Sequence, residues 1–199
     1  MNEAKAALRR GKPHGPWRYA GYVILHPFDG FWDLKRERRG SLKTALAIAG
    51  MTVLTFVLQR RYSGFIFNTG NLSEANVLLE IAGVLLVFVL WTAANWCLTS
   101  LMDGKGTYRD IVTATGYALT PYVVLNLPLL LLSQIMTAEE AAFYYVLAAV
   151  SVLWSAALLM IGTMMTHDYS FRKTVLTIVL ILAAMVMMLS VVGELDALW

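Results

Sequence analysis

The sequence predicts an all-α integral membrane protein with five membrane-spanning helices, and three observations carry that prediction. Apolar residues make up 58% of the 199 and charged residues only 15%, where a soluble domain has roughly 45–50% and about 25%. The apolar residues gather into five runs after position 40, the last four each long enough for a bilayer core that needs about 20 residues. Alternating, strand-type patterning is absent, which argues against a membrane barrel.

The same composition excludes other classes. A net charge of +3 is too small and too unevenly placed for a nucleic-acid binder, and the apolar content excludes disorder. The single cysteine, Cys97, permits neither an internal disulfide nor a thiolate metal cage.

Residues 1–40 form a basic and aromatic tail, and residues 41–199 the five-span domain. The tail carries Lys5, Arg9, Arg10, Lys12, Arg18, Lys35, Arg36, Arg38 and Arg39, and no apolar stretch of signal-peptide length, so it is expected to be retained. Trp17, Gly21, Ile24, Phe28, Phe31 and Trp32 fall near helical spacing, and Pro27 interrupts them. Proline disfavours the helical region for His26 and removes a backbone donor, so two short amphipathic helices hinged at His26-Pro27 are expected. Such a segment suits the membrane surface, with rings at headgroup depth, or a place packed under the bundle.

The spans are read as residues 44–59, 77–99, 111–136, 142–166 and 174–192. The first would rise only about 24 Å, so Lys43 and Arg60 at its ends are expected to snorkel. Glu80 lies a few residues into the second run, within reach of interfacial water. A cytoplasmic N-terminus puts 14 of the 16 Lys and Arg residues inside and leaves Arg60 and Arg61 outside, together with Glu74, Glu80, Glu139, Glu140, Glu194 and Asp196. The positive-inside rule favours that orientation, with Trp199 outside.

The third run holds Gly116-Tyr117-Ala118-Leu119-Thr120-Pro121, then Asn126-Leu127-Pro128. Two prolines seven apart share nearly one helix face, and each frees a carbonyl one turn earlier, so this helix is expected to bend or break. The freed groups need hydroxyls, Asn126 or water as partners. The break either lines a substrate site, as in some transporters, or is a kink buried in the bundle.

Before it, Asp103-Gly104-Lys105-Gly106-Thr107 reads as a tight cytoplasmic turn in which the glycines supply positive backbone angles. Its spacing does not match a phosphate loop, and Asp103 and Asp110 are too few carboxylates for a calcium loop. His14, His26 and His167 lie in separate segments, and no serine has an intramembrane base beside it, so neither catalysis nor a metal or cofactor site is expected. Small residues such as Gly83, Ala156 and Gly162 suit close helix packing.

The run Gly116-Tyr117-Ala118-Leu119-Thr120-Pro121 resembles the glycine-tyrosine-x-leucine-x-proline signature of the Yip family, the Ypt/Rab-interacting membrane proteins. The bacterial branch is similar in two further places, His26-Pro27-Phe28-Asp29-Gly30-Phe31-Trp32 and the Gly104-Lys105-Gly106 turn. The resemblance implies five spans, a cytoplasmic N-terminus and an interaction role for these motif residues. It also implies association with another membrane protein, an ABC-type transporter being the suspected partner in bacteria. The aspartate-leucine-x-glycine-proline motif of eukaryotic members is missing, since Asp33-Leu34 continues into Lys35-Arg36, which argues against Rab-type GTPases as partners. Two functions are therefore expected as alternatives: a non-enzymatic plasma-membrane adaptor or accessory protein, or a small permease for a neutral solute at the Pro121–Pro128 break. The absence of intramembrane charge favours the first.

Overall fold

A computed structural model of the chain describes residues 15–64, 67 and 76–196, with side chains to residue 190. Lys5, Arg9, Arg10, Lys12, His14, Glu74 and Trp199 lie outside the described residues, as do the side chains of Glu194 and Asp196. The helices are α1 (Pro16–Leu25), α2 (Pro27–Arg36), α3 (Leu42–Tyr62), α4 (Val77–Leu101), α5 (Tyr108–Ala118), α6 (Thr120–Leu132), α7 (Ala141–His167) and α8 (Phe171–Asp196), with a 3-10 turn at Ala138–Glu140. No strand occurs among the described residues.

Among the described residues, five segments are long and apolar enough to cross a membrane: α3, α4, α5 with α6, α7, and α8. The first is longer than its apolar run. Its 21 residues rise about 31 Å, so the shortfall expected from residues 44–59 does not arise. Arg60 sits inside the last turn of α3 and meets Glu80 of α4 at 2.9 Å instead of merely snorkelling.

The third span breaks as its prolines require, but at one place only. Leu119 separates α5 from α6, Pro121 occupies the first turn of α6, and the helix continues through Pro128. Pro121 is buried and Pro128 exposed.

α5 and α6 are the most enclosed span, with 56% of the apolar window buried, against 11% for α4. Around them pack α3 and α7, while α4 and α8 pair with each other at the edge.

The two tail helices form and meet at His26, as expected, each beginning with a proline whose fixed φ suits a first helical turn. They dock on α7, α5 and α6. Tyr19, Val23, Phe31 and Leu34 share one core with Ala45, Ile48, Ala114, Tyr117, Ala118 and Leu158, so the core runs across residue 40. Gly30 permits the close crossing of α1 and α2, since a Cβ there would stand 3.0 Å from Val23 Cγ2. Phe31 lies over Gly162 of α7, where a Cβ would come within 3.1 Å of its ring. The apolar spacing in the tail therefore divides between two faces: Trp17, Phe28 and Trp32 point outward, and Phe31 points inward.

Candidate functional site

The signature residues of the third span act as a clamp. Gly116 brings α5 against α3 so closely that a Cβ would meet the Ala45 carbonyl oxygen at 2.5 Å. One residue on, the Tyr117 hydroxyl accepts from the Ser41 backbone N–H at 3.2 Å and donates to the Pro16 carbonyl at 3.1 Å. A single phenol thus joins the starts of α1 and α3 to the third span. Leu119 occupies the break, and Thr120 Oγ1 donates 2.7 Å to the Tyr117 carbonyl. That carbonyl is the one to which Pro121, lacking an N–H, gives no helical bond. A neighbouring hydroxyl, not Asn126, thereby serves the group freed by Pro121.

Asn126 has other work. Its Nδ2 donates to the Tyr122 carbonyl at 2.9 Å and to Ser151 Oγ at 2.6 Å, and its Oδ1 accepts from Gln59 Nε2 at 2.8 Å. Gln59 Oε1 in turn accepts from the Tyr122 hydroxyl at 3.1 Å. Inside a bilayer these amides need partners, and here α3, α6 and α7 supply them to one another.

The turn between α4 and α5 is built differently from the expectation. Positive φ falls on Asp103, at 57°, and not on Gly104 or Gly106. Asp103 ends α4 in the left-handed region, with the Gly104 N–H reaching back to the Thr99 carbonyl at 2.7 Å. The glycines are needed for proximity instead. A Cβ on Gly104 would come 2.6 Å from His167 Nδ1, and one on Gly106 would come 2.8 Å from His167 Cε1. The Gly106 N–H donates to His167 Nδ1 at 3.3 Å, which leaves the imidazole proton on Nε2.

Thr107 and Asp110 then open α5 with a reciprocal cap, each side chain accepting from the other's N–H, at 3.3 and 3.0 Å. Asp110 Oδ2 also accepts from Lys35 Nζ of α2 at 2.7 Å. Beside it, Asp168, left-handed at φ 55° after α7, gathers Arg36 at 3.3 Å and Lys105 at 3.5 Å. These exposed contacts are screened and individually weak. Their effect is to bring α2, the turn and the end of α7 together. Lys105 is thus joined to this cluster, while Pro27 starts α2 and Phe28 and Trp32 stay on its outer face.

Tyr19 is the buried phenol of the tail, donating to the Gly30 carbonyl at 2.9 Å with Asp33 Oδ2 at 3.4 Å. Burial first, and the Asp33 carboxylate second, hold its hydroxyl proton well above the ordinary tyrosine range.

Sequence reasoning singled out Gly116, Tyr117, Leu119, Pro121, Asn126 and Pro128, and the structure gathers the first four with Thr120 at one clamp. It missed the Lys35, Asp110, Asp168 and His167 cluster. Thr-x-x-Asp at 107–110 was a readable capping signal, whereas nothing in the sequence pairs Lys35 with a residue 75 positions away.

These features define a class: a five-span membrane protein in which two short helices seal one end of the bundle and are tied to a broken middle span. The Yip1 domain matches residues 21–192, and the chain belongs to that family. The match begins within α1, so it takes in α2 and part of α1 as well as the spans. No curated protein and no solved structure matches the chain.

Proposed function

We propose that this protein is a non-enzymatic adaptor or accessory protein of the plasma membrane, with its N-terminus cytoplasmic, that associates with another membrane complex through the tail helices. The carrying observation is the outer face of α1 and α2, where Trp17, Leu25, Phe28 and Trp32 are 55, 76, 53 and 45% exposed although the opposite face is fixed in the core. Large rings held rigidly beside cations are the side chains that dominate protein interfaces. Arg36 stands 5.5 Å over the Trp32 ring, which preorganises both. The family resemblance makes ABC-type transporter subunits the partner to look for.

The experiment is gentle detergent extraction from the native membrane, followed by identification of what co-purifies. The full chain should carry transporter subunits, and the triple variant Trp17→Ala, Phe28→Ala, Trp32→Ala should lose them at an unchanged melting temperature. A protein that runs alone, and that by itself conducts a solute in liposomes, would overturn the adaptor reading. The permease alternative has less support, because Thr120, Asn126, Gln59 and Ser151 spend their polar groups on each other and on the backbone at the break.

A further inference from the structure

At the end of the bundle that carries the tail helices, the end of α2, the start of α3 and the start of α5 enclose a small polar pocket of about 130 Å³. A site for a whole small molecule has roughly 300–1,000 Å³ and one water takes about 30 Å³, so this pocket suits a single compact group. Lys35, Arg38, Arg109, Asp110 and Thr166 line it. Its charges do not cancel. Asp110 is the one carboxylate in the wall among the described residues, and Lys35 Nζ meets it at 2.7 Å, which closes that pair. The guanidinium groups of Arg38 and Arg109 have neither an ion pair nor a hydrogen bond among the described residues, and both residues are exposed to arriving solute.

The other carboxylates at this end are engaged elsewhere or lie outside the pocket. Glu37 meets Arg39 at 2.6 Å, Asp168 holds Arg36 and Lys105, and Asp33 lies against Tyr19. Asp29 and Asp103 have no ion pair among the described residues, but they stand on the first turn of α2 and at the end of α4, and neither lines the pocket. Two uncommitted positive charges therefore remain in its wall. The neutral groups agree with them. Thr166 is only 3% exposed, and its hydroxyl makes no hydrogen bond among the described residues. Gly40 and Leu42, also in the wall, flank Ser41, which begins α3 without a side-chain cap and leaves the positive end of that helix open. Arg38 itself holds φ 48°, so the chain places a long cation where the backbone alone favours glycine. Guanidinium forks match the oxygens of a phosphate, whose charge of up to two equals the surplus here.

We propose that this pocket binds one phosphate group, presented by a lipid headgroup or by a soluble phosphate, with Arg38 and Arg109 as its counter-charges. Basic pockets between helices at a membrane surface are where anionic headgroups dock. None of Trp17, Phe28 and Trp32 lines the pocket, so the site stands independently of the adaptor reading.

Melting temperatures of the full chain in a maltoside detergent test it at constant ionic strength. The additives are sodium phosphate, sodium acetate, dioctanoylphosphatidic acid, and dioctanoylglycerol as the same lipid without phosphate. A phosphate-bearing additive should raise the melting temperature in a saturable way, and acetate and dioctanoylglycerol should not. Stabilisation by phosphatidic acid alone assigns the phosphate to a lipid, and stabilisation by sodium phosphate as well assigns it to the bare group. Arg38→Gln and Arg109→Gln should each raise the half-saturating concentration roughly tenfold, the worth of one charge-assisted contact. Arg172→Gln, which removes a cation on the first turn of α8 outside the pocket, should leave it unchanged. Arg38→Gly should weaken binding while raising the melting temperature without ligand, which separates lost binding from lost folding. No saturable stabilisation by either phosphate-bearing additive, acetate or dioctanoylglycerol acting as well as they do, undiminished binding in Arg38→Gln and Arg109→Gln, or equal weakening by Arg172→Gln would each overturn the proposal.

Discussion

The hydroxyl of Thr120 lies 2.7 Å from the carbonyl of Tyr117, the group that Pro121 leaves without its helical donor. The break in the third span is therefore satisfied from within the signature itself. Thr120→Val should leave that buried carbonyl unpaired, at about 1–3 kcal/mol. Pro121→Ala restores an N–H that reaches the same oxygen, so the double variant should be less destabilised than the sum of the two. Thermal unfolding of the four proteins in detergent measures the coupling.

Gly116→Ala should be worse than a helix-favouring change suggests. The new methyl meets the backbone of α3 at Ala45, which only a shift of the helix relieves, so a loss of about 1–3 kcal/mol is expected. Tyr117→Phe removes the two bonds that join α1 and α3 to the third span, with an expected loss of about 1–2 kcal/mol. In that variant limited proteolysis should cut the tail near Pro16 faster than in the wild type.

At the turn, the proximity argument separates two glycines. Gly106→Ala collides mainly with side chains of Thr166 and His167, and His167→Ala should partly rescue it. Gly104→Ala also meets the Thr99 backbone carbonyl at 2.8 Å, so the same second substitution should rescue it much less. Melting temperatures of both pairs decide the matter.

Asp110 caps α5 and holds Lys35, so Asp110→Ala should cost about 1–3 kcal/mol, while Lys35→Met, which removes only the ion pair, should cost less than about 1 kcal/mol. Equal losses in the two variants would contradict the capping role.

The raised proton affinity of Tyr19 gives a pH dependence of definite sign. Unfolded tyrosine loses its proton near pH 10 and the native phenol keeps it, so the unfolded state binds fewer protons above that pH and stability falls as pH rises further. Below it the contribution is constant. Melting temperatures between about pH 9 and 11 should show this fall, and Tyr19→Phe should lessen it.

The proposed orientation rests on the uneven placement of the basic residues. On a Cys97→Ser background, a cysteine at Glu140 should react with an impermeant maleimide in intact cells, and one at Lys105 only after lysis. The reverse pattern would invert the topology. Deletion through Leu25 is a poor probe of the tail, because it also strips Tyr19, Ala20 and Val23 from the core.

The sequence by itself determined the solvent, the number of spans, the hinge at Pro27 and the break before Pro121. Each of these follows from local physics: hydrocarbon needs about 20 apolar residues, and a proline removes a donor wherever it stands. The expectation failed where a residue's role depends on what lies opposite it. Gly104 and Gly106 looked like sources of positive φ, yet Asp103 takes that conformation and the glycines make room for a histidine about 60 positions later. Phe31 and Trp32 are neighbours of the same kind, and only the docking of α2 on Gly162 decides that one is core and the other surface. Arg60 and Glu80 read as two separate interfacial charges until α3 and α4 place them 2.9 Å apart. Tertiary structure alone decided these matters, because a side chain's burial and charge partners are set by helices distant in the chain, and nothing in the local pattern records which helix that is.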